Sequence, residues 1–217
     1  MKHNFLSNLI AVACPLALAL AGSTAIAQQI QQGALRFVNA SALTGKAVLT
    51  IDAAKLRPDG FGPGENTGMI GILAGAHRFN ITHPTAGKAD TNVLVQPNTF
   101  MTVIAFSKPA LDPQTKKTIE IIQLFARADP PREKGKHFQV ISVSSHPSVD
   151  LTINGQPLTL ASFRELKADD AAKGALKIEF AGKSVLNFAA DESGSFLAVL
   201  YDRPDGTMGA VLLPDYG

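Results

Sequence analysis

The stretch "LRFVNAS", Leu35 to Ser41, decides how this sequence is read, because "FQVISVS", Phe138 to Ser144, repeats its form: an apolar start, alternation, and a small polar end. Further matches follow in the same order. "LTI" at 49–51 recurs at 151–153, and "AHRFNI" (76–81) lies over "ALKIEF" (175–180). "FMTVIAF" from Phe100 lies over "FLAVLY" from Phe196, and "IEIIQLF" from Ile119 over "MGAVLLP" from Met208. Five elements in one order, with length changes confined to turns, predict a tandem duplication. The expected division is a leader over 1–27, a first unit over 28–131 and a second over 132–217. The junction falls in "ADPPREKGKH" (128–137), whose paired prolines cannot sit in an inner strand.

The hydrophobic period is two almost everywhere. Val149, Leu151 and Ile153 alternate with Asp150, Thr152 and Asn154, and Leu176, Ile178 and Phe180 with Lys177 and Glu179. Such alternation belongs to antiparallel strands with one wet face. "FMTVIAF" and "FLAVLY" are apolar on both faces and read as central strands. Asn154-Gly155 and Asp205-Gly206 suit two-residue hairpins, and "LTGK" (43–46) and "AGK" (181–183) read as similar turns. One helix is expected over 163–173: Ser162 and Glu165 form a capping-box pair, and Gly174 stands where the helix would stop. The predicted fold is all-β, two tandem immunoglobulin-like antiparallel β-sandwich units with one short helix in the second.

The segments "RFVNAS…AVLTID…AGAHRFNIT…NTFMTVIAF" resemble a family of secreted bacterial repeats described only as a domain of unknown function. Its units run Arg-Val-Val-His/Asn-Ala-Ser-Pro, then Val-Asp-Val-Tyr-Val-Asp-Gly, then Ala-Gly-Thr-Tyr, then a strand with Tyr-Thr-Val. Arg36, Asn39, Ala40 and Ser41 match the first block, Val149, Asp150, Asn154 and Gly155 the second, and Ala74-Gly75 the third. Ala42 replaces the first block's proline, and Gln139 replaces its arginine in the second unit. The resemblance implies an immunoglobulin-like sandwich and no catalytic residues.

The N-terminus reads as an export signal: Lys2, an apolar run from Phe5 to Leu20, and small residues at Ala25 and Ala27 before Gln28. Ser7, Asn8 and Pro15 interrupt the run, which disfavours a membrane span. Cleavage before Cys14, giving a lipoprotein, is the less favoured reading because Ala11 is a weak residue at that site. The expected location is periplasmic or extracellular, with no transmembrane span in the mature chain. Cys14 is the only cysteine, so the mature chain forms no disulfide although its compartment permits them. The formal net charge of +2 falls by one with Lys2, which argues against nucleic acid as a partner.

Candidate chemistry is sparse. His77 and His83 share a strand face but would lie roughly 20 Å apart, too far to share a metal ion. His137 and His146 are placed no better. "SSHP" (144–147) sets Ser144, Ser145 and His146 side by side, yet strand neighbours point to opposite faces. Asp169-Asp170 and Asp191-Glu192 lack the apolar surroundings of an acid–base pair. With no Trp and only Tyr201 and Tyr216, the chain lacks the aromatic platforms of a sugar-binding sandwich. The most unusual stretch is "RPDGFGPGENTG" (57–68). It reads as an exposed connection in the slot of the second unit's helix, with Gly60, Phe61, Gly62, Gly64, Glu65 and Asn66 as a candidate partner-binding loop.

The expectation is a non-enzymatic interaction module without cofactor, an accessory or assembly subunit whose partners are other envelope proteins. The alternative is a binding protein for a glycan, lipid or metal, with its small ligand in a crevice between the units.

Overall fold

The computed structural model describes residues 31–130, 136–168, 175–189 and 194–215. The expected leader and the acidic pairs Asp169-Asp170 and Asp191-Glu192 lie outside the described residues. The first half holds β1 (Gln32–Asn39), β2 (Val48–Ile51), β3 (Ala54–Lys55), β4 (Ile70–Leu73), β5 (Gly75–His83), β6 (Gly87–Val95), β7 (Phe100–Leu111) and β8 (Thr118–Ala128). The second holds β9 (Lys136–Ser142), β10 (Ser148–Ile153), β11 (Gln156–Ala161), β12 (Glu165–Lys167), β13 (Ala175–Phe180), β14 (Lys183–Ala189), β15 (Gly194–Asp202) and β16 (Met208–Asp215). Among the described residues there is no helix, and so none long and apolar enough to cross a membrane.

The described strands form four sheets of four. β4-β1-β7-β8 and β3-β2-β5-β6 belong to the first half, and β12-β9-β15-β16 and β11-β10-β13-β14 to the second. The two pairs of sheets are the same under a shift of eight elements, and β1–β7 and β9–β15 are both parallel. The sandwich expectation is met, but the strand order differs from that of an immunoglobulin domain. There the first two strands are neighbours in one sheet; here they lie in opposite sheets, and the first strand sits centrally between the fourth and seventh.

Each unit has its own core. Leu35, Phe37, Met101, Val103 and Ala105 pack against Leu49, Ile51, Phe79, Ile81 and Val93 in the first. Phe138, Val140, Ala198 and Leu200 pack against Leu151, Ile153, Leu176 and Ile178 in the second. A third cluster joins them: Val38, Ala40, Ile104 and Phe106 meet Ile141, Val143, Leu197, Val199, Tyr201, Val211 and Leu213. The sheets around β1–β7 and β9–β15 are thus covered on both faces, which is why their strands are apolar throughout. A packed apolar seam joins the two units.

Pairing registers refine the duplication. Arg36 lies opposite Thr102, and Gln139 opposite Leu197. With Arg36 set over Gln139, Met101 takes the place of Phe196, one residue away from the match read in the sequence. That slip would exchange the two faces of the strand. Likewise Ser107–Ile122 and Asp202–Met208 are equivalent pairs, so Ile122 rather than Ile119 corresponds to Met208. The other matches hold: Leu49 faces Ile81 as Leu151 faces Phe180.

The expected helix is overturned over its described part. Glu165–Lys167 is a strand paired with Gln139–Ile141, and Phe163 has φ +61°. The Ser162 hydroxyl donates to the carbonyls of Ser144 (3.1 Å) and His146 (2.5 Å). Glu165 meets the buried Arg127, with Nε–Oε1 2.9 Å, instead of reaching back to a helix start. Tertiary partners have taken both halves of the capping box. Residues 169–173 of that helix lie outside the described residues.

Turns follow local chemistry more closely. Asn154-Gly155 (φ +49°, +83°) and Ala181-Gly182 (φ +49°, +73°) are two-residue hairpins. Asp205-Gly206 instead sits in a longer loop, since β15–β16 pairing stops at Asp202–Met208. "LTGK" joins strands of opposite sheets. Asp52-Ala53 (φ +48°, +72°) is the first unit's equivalent of Asn154-Gly155. Asp52 Oδ1 accepts the Arg78 N–H at 2.8 Å, as Asn154 Oδ1 accepts that of Lys177 at 2.7 Å. Ala53 carries a Cβ where its repeat has glycine. Ala53→Gly is therefore expected to raise the unfolding free energy by roughly 0.5–1 kcal/mol, and denaturant melts showing a loss would contradict the strained turn.

Candidate functional site

The glycine-rich segment is sewn onto β1 and the first core. Phe61 is 3 % exposed, its ring edge-on to Phe37 with centroids 5.1 Å apart. Its backbone exchanges hydrogen bonds with Ala47 (2.8 and 2.9 Å), and its carbonyl accepts the Asn39 amide at 2.7 Å. Gly60 is required there: at φ +72° a Cβ would stand 2.8 Å from the Ala47 carbonyl oxygen. The Gly64 N–H donates to Asn39 O (2.7 Å) and the Asn39 N–H to Glu65 O (2.9 Å). The Glu65 carboxylate accepts from Gly62 N–H (3.1 Å) and pairs with Arg57 (2.8 Å). Gly62, Gly64 and Glu65 are half-buried, and Asn66 alone of the six named residues is exposed. Phe61 is thus a core residue, not an exposed anchor, and the segment is not a free connection.

Its inner side faces the second unit. A Cβ at Gly64 (φ +81°) would stand 2.6 Å from the Tyr201 hydroxyl oxygen. In the second unit Phe163 takes the equivalent place: its N–H donates to Ser142 O at 2.8 Å, as that of Gly64 does to Asn39 O. The Phe163 ring rests on Phe106 (4.8 Å) and Phe125 (5.5 Å), the counterparts of Tyr201 and Val211. Equivalent positions touch equivalent positions, the pattern of a two-fold dimer whose subunits share one chain.

One polar network crosses this seam. Arg36 Nε donates to Thr102 Oγ1 (2.8 Å), its Nη2 to Asp129 (3.2 Å), and its Nη1 to the Pro214 carbonyl of the second unit. The Thr102 hydroxyl donates to Asp129 at 2.7 Å, and Arg127 reaches Gln139 Oε1 at 2.9 Å besides Glu165. The positions equivalent to Thr102 and Arg127, Leu197 and Leu213, are apolar, so the network has no counterpart across the pseudo-two-fold. Arg36 and Gln139 were visible in the sequence as motif positions; nothing there showed Thr102, Arg127 and Asp129 converging on them.

The remaining candidates hold turns. The hydroxyls of Ser144 (2.8 Å) and Ser145 (2.8 Å) both donate to Asp202, and His146 Nδ1 lies 3.2 Å from Ser144 Oγ. A hydrolytic relay needs the imidazole between hydroxyl and carboxylate; here the carboxylate binds the hydroxyl directly. Burial, and then the charge of Asp202, raise the pKa of Glu120. His77 Nδ1 lies 2.5 Å from Asp52, and its Nε2 2.7 Å from Leu73 O. Partial burial pulls its pKa down, but these two contacts outweigh that and raise it. His83 is buried, its Nδ1 accepting from Thr85 and Ala86 N–H at 3.3 Å, and burial lowers its pKa. Among the described residues no three His, Cys, Asp or Glu side chains gather to hold a metal ion.

The feature that stands out is an edge. Among the described residues eight strands end the four sheets, and seven carry a charged residue or proline, the usual protections against unwanted pairing. β4, Ile-Gly-Ile-Leu, carries neither, and no charged residue occurs from Asn66 to Ala76. Its inner side pairs with Gln32–Leu35, Ile72 packs on the first core, and Leu73 is 55 % exposed. Its repeat, β12, is Glu-Leu-Lys. Searches of protein-family models and of curated proteins find no match to this chain.

Proposed function

We propose that this chain is a non-enzymatic interaction module of the bacterial cell envelope, an accessory or assembly subunit that accepts a strand from a partner protein along β4. The observation that carries the reading is that, among the described residues, β4 is the one sheet edge without charge or proline, while the other seven carry one or the other. Main-chain hydrogen bonds along such an edge supply affinity, and alternate side chains supply specificity. The export signal read over 1–27 supports the location.

Crosslinking in living source cells tests the reading, with a photoreactive residue at Leu73 and, as control, at Leu94 of β6, which is at least as exposed. A discrete adduct is expected from Leu73 only, and Gly71→Lys, which places a charge on the open edge, is expected to reduce it at least about tenfold. Adducts of equal yield at Leu94, or an adduct indifferent to Gly71→Lys, would contradict it.

A further inference from the structure

The two repeats differ at one end of the sandwich in a way that opens a site. In the first unit the β5–β6 connection runs through Pro84, Thr85 and Ala86, and its His83 and Ala86 are buried. The Ile122 N–H reaches the Ala86 carbonyl at 3.4 Å, so this connection is laid against β8 and plugs the end of the core. In the second unit the hairpin turns early, with Phe180 paired to Lys183, and Met208 stands in the place of Ile122. The plug is missing. Between the β13–β14 turn and the β15–β16 loop lies a cleft of about 360 Å³.

Its composition is two-sided. Buried Met208 and half-buried Phe180 and Val185 form the apolar floor, while exposed Lys183, Arg203 and Ser184 stand at the mouth. Neither cation makes an ion pair or a side-chain hydrogen bond among the described residues. The nearby carboxylate, Asp205, is taken up by the Thr207 N–H (2.9 Å) and hydroxyl (2.6 Å). These bonds, with a smaller contribution from Arg203, hold its pKa down. Two cations above an apolar floor match an anionic head with an apolar tail. A cavity of about 150 Å³ holds benzene, so this one admits a ligand of roughly a dozen non-hydrogen atoms.

We propose that the cleft of the second unit binds a small amphipathic anion, its carboxylate between Lys183 and Arg203 and its tail on Phe180, Val185 and Met208. The site is independent of the β4 edge. Octanoate is the probe, titrated into the 15N-labelled mature protein. Saturable shifts are expected at the amides of Ser184, Gly206 and Thr207, with a dissociation constant on the order of 1 mM for a ligand of this size. Lys183 and Arg203 are exposed, so Lys183→Gln combined with Arg203→Gln leaves the fold intact and is expected to weaken binding about tenfold or more. Acetate, which lacks the tail, is expected to bind at least about tenfold more weakly than octanoate. Octan-1-ol binding as tightly as octanoate, an unchanged affinity in the double variant, or shifts that avoid the cleft would each overturn the proposal.

Discussion

Asp129→Ala is expected to cost about 3–5 kcal/mol of unfolding free energy, the range for removing one partner of a buried ion pair. The Asp129 side chain is fully buried and answers Arg36 directly and through Thr102, with Arg127 Nη1 3.8 Å away. Without it, Arg36 loses a buried carboxylate at 3.2 Å and Arg127 a more distant one, although Arg127 retains Glu165. The network itself need not stabilise the fold, because apolar replacement of a whole buried ion pair is often neutral or favourable. Arg36→Met combined with Asp129→Leu is accordingly expected to recover most of the loss. Urea melts of the single and double variants check both statements. A single-variant loss below about 1 kcal/mol, the value of an exposed pair, would show that the network is solvated.

Ile104→Glu carries the second large effect. Ile104 is completely buried in the seam between the units. The substitution removes about 2–3 kcal/mol of apolar burial and adds several more for a carboxylate with no partner. Loss of cooperative folding, or separation of the units with exposure of both central sheets, is the expected result. Ile104→Val should cost only about 0.5–1.5 kcal/mol. Because the interface pairs equivalent positions, Val199→Glu on the other side should behave like Ile104→Glu. Normal melting of either Glu variant would contradict a dry interface.

How far the sequence could be read depends on how many faces of each strand are buried. β10 and β13 face water on one side, so alternation revealed their inward residues, and the match of "LTI" with "LTI" fell in register. β7 and β15 are covered on both sides. A slip of one residue there exchanges one apolar face for another, leaves no polar residue out of place, and so escaped the pattern. The burial of Phe61 escapes the sequence pattern for a related reason. Glycine and proline around it signalled a loop, but a loop hydrogen-bonded to β1 can carry a core side chain.

The capping box at Ser162 and Glu165 shows local propensity losing to partners distant in sequence. Arg127 and the carbonyls of Ser144 and His146 claim the side chains that would have started a helix. The β4 edge was legible in principle, as eleven residues without a charge, but its meaning required knowing which strands end each sheet. The cleft of the second unit was less accessible still. It exists because one hairpin is shorter than its repeat, and only the register of β16 against β8 shows that Met208 stands where Ile122 is plugged.

The claim beneath all of these expectations is that two repeats are docked through their central sheets into one body. Native-state hydrogen exchange on the full chain tests it most directly. The slowest amides of β1 and β7 and those of β9 and β15 should open in a single global event, with exchange free energies agreeing within about 0.5 kcal/mol. Two separate plateaus, one for each repeat, would mean that the units fold independently and that the seam between them does not bind them into one molecule.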